Sequence, residues 1–184
     1  MRVAICSYGA GNTRSVQLAF ERLCVRAAVV DDANDIVGAD LAVLPGVGSA
    51  GFAMTGLRRR GLDEALRERA AAERPILGIC LGLQLALDET EEDGGIEGLG
   101  LLPGRAVRLR SARVPRIGWA PLDGGGETYW YAHSFVAETP AVTAASEGLT
   151  AIVEHGPFTG VQFHPEKSGA AGARFLAARC LSLA

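Results

Sequence analysis

The sequence has few of the features that mark metal-binding, secreted or membrane-spanning proteins. Its four cysteines show no Cys-x-x-Cys spacing, so neither a metal site nor a disulfide framework is expected. No apolar run approaches the length that spans a bilayer, and the first residues are typical of a strand rather than a signal peptide. We therefore expect a cytoplasmic protein with reduced thiols, no metal and no membrane contact.

The sequence also lacks a large excess of charge of either sign. The chain has 18 Lys and Arg against 21 Asp and Glu, for a net charge of −3, which gives no broad basic field for nucleic acid. It has no Gly-x-x-x-x-Gly-Lys phosphate-binding loop either. A length of 184 residues suits one compact core, and we expect a single domain over residues 1–184.

Strand and helix patterns alternate through the first half of the chain. Apolar runs predict strands over residues 2–7, 26–30, 41–44 and 76–79, and amphipathic periodicity predicts helices over residues 14–23 and 62–72. This order predicts an α/β fold with a doubly wound, mostly parallel sheet and helices on both faces. The functional site of such a sheet lies at the carboxyl ends of its strands.

The pattern changes after residues 88–95, an acidic stretch that we interpret as a solvated loop. Short apolar runs separated by Gly, Pro and Asp predict antiparallel additions to the sheet over residues 107–109, 129–136, 151–154 and 160–163. Residues 170–183 are expected to close the chain as a helix. Cys6, Cys24 and Cys180 lie in strand-like or helix-like runs and are interpreted as core residues.

A potential nucleophile stands in the segment Gly78-Ile79-Cys80-Leu81-Gly82. Apolar runs precede and follow it, so a buried strand is expected to turn sharply into a helix at Cys80. The backbone at such a turn is strained, and glycines on both sides relieve the crowding. Free N–H groups at the start of a helix favour a thiolate. These features predict a nucleophile elbow, a tight strand-to-helix turn that presents the reactive side chain.

A base and a carboxylate stand far along the chain, in Gln162-Phe163-His164-Pro165-Glu166. His164 and Glu166 are two residues apart, so both would leave the same face of an extended segment. Glu166 is expected to orient His164, which takes and returns a proton. The elbow alone would also fit a buried structural cysteine. Together the two segments favour a hydrolytic triad of Cys80, His164 and Glu166.

A third segment, Pro45-Gly46-Val47-Gly48, follows a predicted strand and is called the oxyanion strip below. Amide hydrolysis through a thioester passes through a tetrahedral oxyanion that preorganised donors must stabilise. The backbone N–H of Leu81 is one candidate donor. The strip could supply a second from Gly46 or Val47, because glycine permits peptide orientations that other residues resist. The alternative is a plain glycine turn after a strand.

The sequence resembles the class I (triad) glutamine amidotransferases. The resemblance rests on the two segments that contain Cys80 and His164, together with the oxyanion strip. Within this family, three further segments resemble those of the glutaminase subunits of imidazole glycerol phosphate synthases. They are Tyr8-Gly9-Ala10-Gly11-Asn12, Val114-Pro115-Arg116-Ile117-Gly118-Trp119 and Ala132-His133-Ser134-Phe135. The similar segments run in the same order from about residue 3 to about residue 176 of the chain.

The resemblance implies a glutaminase that uses L-glutamine and no cofactor. It implies that the oxyanion strip rearranges before its donors point inward, and that Gly48, Gln84, Ser134 and Phe135 contact glutamine. Gln84 could instead be an amide on a helix surface. His133 is expected to be a hydrogen-bonded structural histidine, because His164 already supplies the base.

The resemblance also implies a heterodimer with a separate (β/α)8-barrel cyclase subunit that consumes the ammonia. Asn12, Trp119, Trp130 and Lys167 match positions that face the partner, although the tryptophans could equally serve packing. The chain departs from the family pattern nearby, with Arg116 where histidine is usual and Ala120 where asparagine is usual. Three alternatives stay open: a stand-alone γ-glutamyl cysteine hydrolase, a catalytically lapsed binding subunit, and a glutaminase that serves another synthase such as anthranilate synthase.

Overall fold

The main sheet of the protein is mixed and mostly parallel. The computed structural model describes residues 1–9, 11–111 and 113–183, so Ala10 of the Tyr8 to Asn12 motif and the last residue of the predicted domain lie outside the described residues. Within them, seven strands form one sheet in the order β11-β12-β13-β4-β3-β1-β2. These are β1 (Arg2–Cys6), β2 (Arg26–Val30), β3 (Leu41–Leu44), β4 (Ile76–Ile79), β11 (Val142–Ser146), β12 (Leu149–His155) and β13 (Phe158–Val161).

Neighbouring strands from β13 to β2 pair in parallel, whereas β12 and β11 extend one edge antiparallel. The central strands are buried on both faces. Along β1, Val3 and Ile5 enter one apolar core while Ala4 and Cys6 enter the other. Strands buried on both faces require continuous apolar runs, which is why these segments show no alternation with polar residues. The predicted fold class is confirmed.

Helices cover both faces of this sheet. They are α1 (Thr13–Glu21), α2 (Ala33–Gly38), α3 (Ala50–Arg59), α4 (Leu62–Ala71), α5 (Leu81–Ala86) and α6 (Gly169–Leu181). On one face, α1 and α6 contribute Val16, Phe20 and Leu176 to the core. On the other face, α2 to α5 contribute residues such as Ile36, Leu57 and Leu66. In the part of the chain that the structure describes, no helix has the length and apolar content to cross a membrane.

Two further groups of strands pack beside the main sheet. Strands β10, β7, β5 and β6 form a small sheet, and β8 pairs with β9 as an antiparallel hairpin. Their bounds are β5 (Glu89–Thr90), β6 (Ile96–Glu97), β7 (Arg105–Arg108), β8 (Arg116–Pro121), β9 (Thr128–His133) and β10 (Phe135–Glu138).

The prediction for residues 107–109 and 129–136 was therefore wrong in two respects. These residues do not extend the main sheet, and residues 129–136 form two strands rather than one. The two strands are separated at Ser134. Before it, β9 pairs with β8 in the hairpin, and after it, β10 pairs with β7. The carbonyl of Ser134 accepts from the Leu109 N–H at 2.9 Å, so the bend is held by a backbone hydrogen bond. Alternation of apolar residues does not reveal which sheet a strand joins.

Helix α3 was not predicted, because its glycines are poor helix formers. One of them is required: a Cβ on Gly56 would overlap the Tyr8 carbonyl, so a glycine allows α3 to pack closely on the end of β1. The acidic stretch is also more than a solvated loop. It forms β5 and a short 3-10 turn (Glu92–Gly94) that contacts the start of α3. Cys24 is exposed rather than a core residue.

Candidate active site

Cys80 lies between β4 and α5, where the elbow was predicted. Its backbone has φ 52° and ψ −105°, a conformation that is strained for a residue with a side chain. The glycines of the segment are explained by close approach. A Cβ on Gly78 would lie 2.6 Å from Phe158 and 3.0 Å from the Gly82 backbone, and one on Gly82 would overlap the Leu44 carbonyl. A side chain at either position would push the elbow out of place.

His164 and Glu166 form a buried pair. Nδ1 of His164 lies 2.9 Å from Oε1 of Glu166. This contact leaves Nε2 as the ring nitrogen available to Cys80. Burial alone would lower the pKa of His164, but Cys80 and Glu166 outweigh it and raise this pKa to about 9. The pair therefore favours a charged imidazolium beside the sulfur at neutral pH.

The sequence suggested that the segment containing this pair is extended, but most of it is not. His164 is extended, but Pro165–Lys167 forms a 3-10 turn with proline in its first turn. The turn carries the Glu166 carboxylate back onto Nδ1 of His164. Ser168 fixes the turn against β9, because its hydroxyl donates to the His164 carbonyl at 2.6 Å and accepts from the Trp130 N–H at 2.9 Å.

Two buried amides connect the elbow to the neighbouring elements. Nε2 of Gln84 donates to the Phe135 carbonyl at 2.9 Å and to Oε1 of Gln162 at 3.2 Å. Nε2 of Gln162 then donates to the Cys80 sulfur at 3.5 Å. Gln84 is thus a buried wall residue, and its interpretation as a surface amide is excluded. Gln162 was not predicted as a site residue, although its place two residues before His164 was a signal.

The oxyanion strip runs directly along the start of α5. A Cβ on Gly46 would overlap the Leu81 Cβ and lie 2.5 Å from the Gly82 nitrogen, so only glycine allows this contact. The strip and the elbow open onto a cavity of about 180 Å³, smaller than the roughly 300–1,000 Å³ of drug-sized pockets and suited to a small metabolite. It is lined by Gly46, Val47, Gly48, Cys80, Leu81, Gln84, Glu92, Pro115, Ala132, His133, Ser134 and Phe135.

Glu92 was not predicted as a site residue. It lies in the acidic stretch, yet it lines this cavity and its Oε2 accepts from the Ala50 N–H at 2.9 Å. Burial raises the pKa of Glu92 above its usual range, partly offset by that hydrogen bond. Glu92 therefore places a carboxylate at the wall of the cavity.

His133 is buried and hydrogen-bonded, as expected. Its Nδ1 donates to the Phe135 carbonyl at 2.8 Å, so the proton lies on Nδ1 and Nε2 carries the lone pair. Burial lowers the pKa of His133 to about 4. The ring is therefore neutral near pH 7, unlike that of His164.

The residues predicted to face a partner lie around the same edge of the molecule. Asn12 follows β1 and Lys167 follows β13, at the carboxyl ends of parallel strands. Trp119 and Trp130 are opposite each other in the hairpin, with ring centroids 5.8 Å apart, and Trp119 is 56% exposed. Nearby, the departure at Arg116 is accommodated by an ion pair with Glu147 at 2.8 Å and by the Tyr131 ring.

Comparison with known proteins agrees with this arrangement. Residues 7–183 match the family model described as glutamine amidotransferase class-I, and the chain belongs to that family. Among its relatives, the imidazole glycerol phosphate synthase subunit HisH of Symbiobacterium thermophilum is 45% identical, over 96% of this chain and 92% of the relative. The subunit of the same name from Carboxydothermus hydrogenoformans is 41% identical, over 94% and 95% of the two chains.

Solved structures share the fold at lower sequence identity. A crystal structure of a glutamine amidotransferase superimposes with a TM-score of 0.82 at 21% identity, covering 98% of this chain and 97% of the other. The structure of PurLQS from Thermotoga maritima gives a TM-score of 0.76 at 19% identity, covering 100% and 99%. These likenesses concern the fold alone.

Proposed function

We propose that this chain is the glutaminase subunit of an imidazole glycerol phosphate synthase and hydrolyses L-glutamine to glutamate and ammonia. The observation that carries the proposal is the strained Cys80 at the wall of a small cavity, next to the buried pair of His164 and Glu166. Family membership and the two HisH relatives support the same function. We assign it to one glutaminase domain over residues 1–184, in the cytoplasm.

In the proposed mechanism, the Cys80 thiolate attacks the side-chain amide carbon of glutamine. The tetrahedral oxyanion is stabilised by the Leu81 N–H and by a strip donor from Gly46 or Val47. His164 protonates the amide nitrogen, which leaves as ammonia, and His164 then takes a proton from the water that hydrolyses the thioester to glutamate. Glu166 keeps the imidazole oriented and stabilises its charged form. A thiol, a base and water suffice, so the mechanism uses no metal or organic cofactor.

Glutamine is assigned to the cavity beside Cys80. Gly48, Gln84, Ser134 and Phe135 all line it, which supports their predicted contacts with the substrate. Glu92 adds a carboxylate at the wall, and we assign to it the α-ammonium group of glutamine. Among the residues that the structure describes, no cationic side chain pairs with this half-buried carboxylate. The ammonium group of the substrate would supply that positive charge.

The ammonia is proposed to pass to a (β/α)8-barrel cyclase subunit bound as a heterodimer. The cyclase would convert its nucleotide substrate into imidazole glycerol phosphate and an aminoimidazole carboxamide ribotide. Asn12, Trp119, Trp130 and Lys167 are assigned to the interface. Support comes from the exposed apolar side chains of Trp119 and Ile117, at 56% and 63%, on one hairpin beside the site.

Glutamate release from glutamine tests the proposal. The purified chain is assayed alone and then with a cyclase subunit and its nucleotide substrate. Low activity alone and strong activation by the partner would support the synthase subunit. High activity that the partner does not change would favour a stand-alone γ-glutamyl hydrolase. No activity in either case, with no labelling of Cys80 by a glutamine-analogue electrophile, would indicate a lapsed binding subunit.

A further inference from the structure

Tyr8 is buried beside the oxyanion strip, far from it in sequence. Its hydroxyl donates to the Pro45 carbonyl at 2.6 Å, and the residue is 1% exposed. Burial holds the pKa of Tyr8 above its usual range, so the hydroxyl keeps its proton and remains a donor. A buried hydrogen bond of this length connects the end of β1 to the first peptide of the strip.

The Tyr8 end of this bond is held firmly by helix α3. Gly56 allows the helix to pack directly on the Tyr8 carbonyl, and Arg60 donates to the same carbonyl at 3.4 Å. Tyr8 thus has a buried ring and a backbone carbonyl that is packed against α3, which suits it to anchor the strip.

The bond restricts the peptide between Pro45 and Gly46. A trans peptide is planar, with its carbonyl and N–H on opposite sides, so holding the Pro45 oxygen also fixes the direction of the Gly46 N–H. Gly46 is packed against Leu81 and Gly82 on the helix side. The first peptide of the strip is thus held between Tyr8 and the start of α5.

We propose that Tyr8 is a positioning residue for catalysis. By donating a hydrogen bond to the Pro45 carbonyl, its hydroxyl fixes the position of the oxyanion strip relative to Cys80. The proposal rests on the glutaminase function proposed above. Tyr8 acts on the donors that meet the oxyanion and makes no contact of its own with the reacting atoms. Its loss should affect the transition state of acyl transfer more than the binding of glutamine.

The variant Tyr8→Phe keeps the ring and removes the bond. Loss of a single oxyanion donor typically lowers kcat about 10²–10³-fold, so a displaced strip should lower the kcat of glutamine hydrolysis by about tenfold or more. The KM for glutamine should change by less than about twofold, because the hydroxyl does not contact the substrate. Both constants are measured for the complex with the cyclase subunit and its nucleotide substrate.

Alkylation of Cys80 by iodoacetamide separates this role from a general effect on the site. Alkylation proceeds by displacement at a saturated carbon and forms no oxyanion. The alkylation rate of Tyr8→Phe should therefore match that of the wild type, while hydrolysis is slowed. Labelling with a glutamine-analogue electrophile counts the competent sites and corrects kcat for any inactive fraction.

Two further proteins serve as controls. Tyr129→Phe also removes one hydroxyl from a buried tyrosine, but its ring stacks on Phe163 at 3.8 Å instead of contacting the strip, and it should keep wild-type kcat. Replacement of Tyr8 by 4-aminophenylalanine restores a donor at the same ring position and should recover most of the lost rate.

The outcomes are distinct. A wild-type complex that releases no glutamate would contradict the glutaminase function itself, before any variant is compared. With an active wild type, unchanged kcat in Tyr8→Phe would overturn the role of Tyr8, as would an equal loss in alkylation and hydrolysis. A Tyr8→Phe protein that does not fold would also contradict the proposal, because the hydroxyl would then hold the core rather than the strip.

Discussion

Oε1 of Glu166 lies 2.9 Å from Nδ1 of His164, and the two side chains are 1% and 2% exposed. The second carboxylate oxygen, Oε2, is buried with no hydrogen-bond partner among the residues that the structure describes. A buried carboxylate with one partner is expensive unless that partner carries a positive charge. The geometry thus supports a charged imidazole and favours one ring orientation, with Nε2 towards Cys80.

Replacing Glu166 with glutamine should lower kcat for glutamine hydrolysis by roughly tenfold or more, because the neutral amide neither stabilises the imidazolium nor fixes the tautomer. Steady-state kinetics of the complex measure the effect. The control is Glu154→Gln, at a partly exposed ion pair with Arg179, which should leave kcat unchanged. Wild-type kcat in Glu166→Gln would contradict the assigned role of this carboxylate.

Gly46→Ala tests the close contact between the strip and α5. The new Cβ would overlap Leu81, so the strip must move away from the oxyanion, and kcat should fall on the order of 10²-fold. Gly38→Ala is a matched control, since its Cβ would meet only the flexible end of the Arg2 side chain. An active Gly46→Ala enzyme would show that the strip does not need this contact.

Glu92→Gln tests the assignment of the substrate ammonium group. Loss of a partly buried charge pair should raise the KM for glutamine by roughly tenfold and leave kcat nearly unchanged, because the interaction is the same in ground and transition states. Exposed Glu89→Gln on the neighbouring strand is the control. If Glu92→Gln binds glutamine as tightly as the wild type, the ammonium group lies elsewhere.

The two buried histidines predict opposite responses of stability to pH. The pKa of His133 falls from 6.5 to about 4 on folding, so its contribution is complete above about pH 6.5 and is lost as pH falls towards 4. The pKa of His164 rises to about 9, so its contribution is complete below about pH 6.5 and is lost as pH rises towards 9.

Between about pH 7 and pH 5, titration of His133 should lower the free energy of unfolding by about 2 kcal/mol. The variant His133→Asn keeps a donor for the Phe135 carbonyl and removes this titration. Denaturant unfolding at both pH values should show a smaller loss in the variant than in the wild type. Exposed His155→Asn is the control, and equal losses in all three proteins would argue against a neutral buried His133.

Local sequence patterns predicted the parts of the site that depend on neighbouring residues. Cys80 at the elbow follows from an apolar run, two glycines and a second apolar run. The contact of His164 with Glu166 was predicted too, but through an extended segment instead of the 3-10 turn that forms it. Proline is compatible with both conformations, so the sequence around Pro165 could not distinguish them.

The remaining parts depend on contacts between distant segments. Glu92 is held at the cavity by a hydrogen bond from the Ala50 N–H at the start of α3. Helix α3 could not be predicted because it contains Gly51 and Gly56. Gln162 donates to Cys80 only because β13 pairs with β4 in parallel. Pairing between strands and the packing of one helix end on a loop are set by the whole fold, so no local pattern indicates them.

The role of Cys80 is tested most directly by a comparison of glutamine and ammonia as nitrogen sources for the complex that contains Cys80→Ala. If Cys80 is the nucleophile, this complex makes no imidazole glycerol phosphate from glutamine, yet makes it from ammonium salts at the wild-type rate, because only the glutaminase step needs the thiol. Glutamine hydrolysis at the wild-type rate by Cys80→Ala would contradict the assignment of Cys80 as the nucleophile.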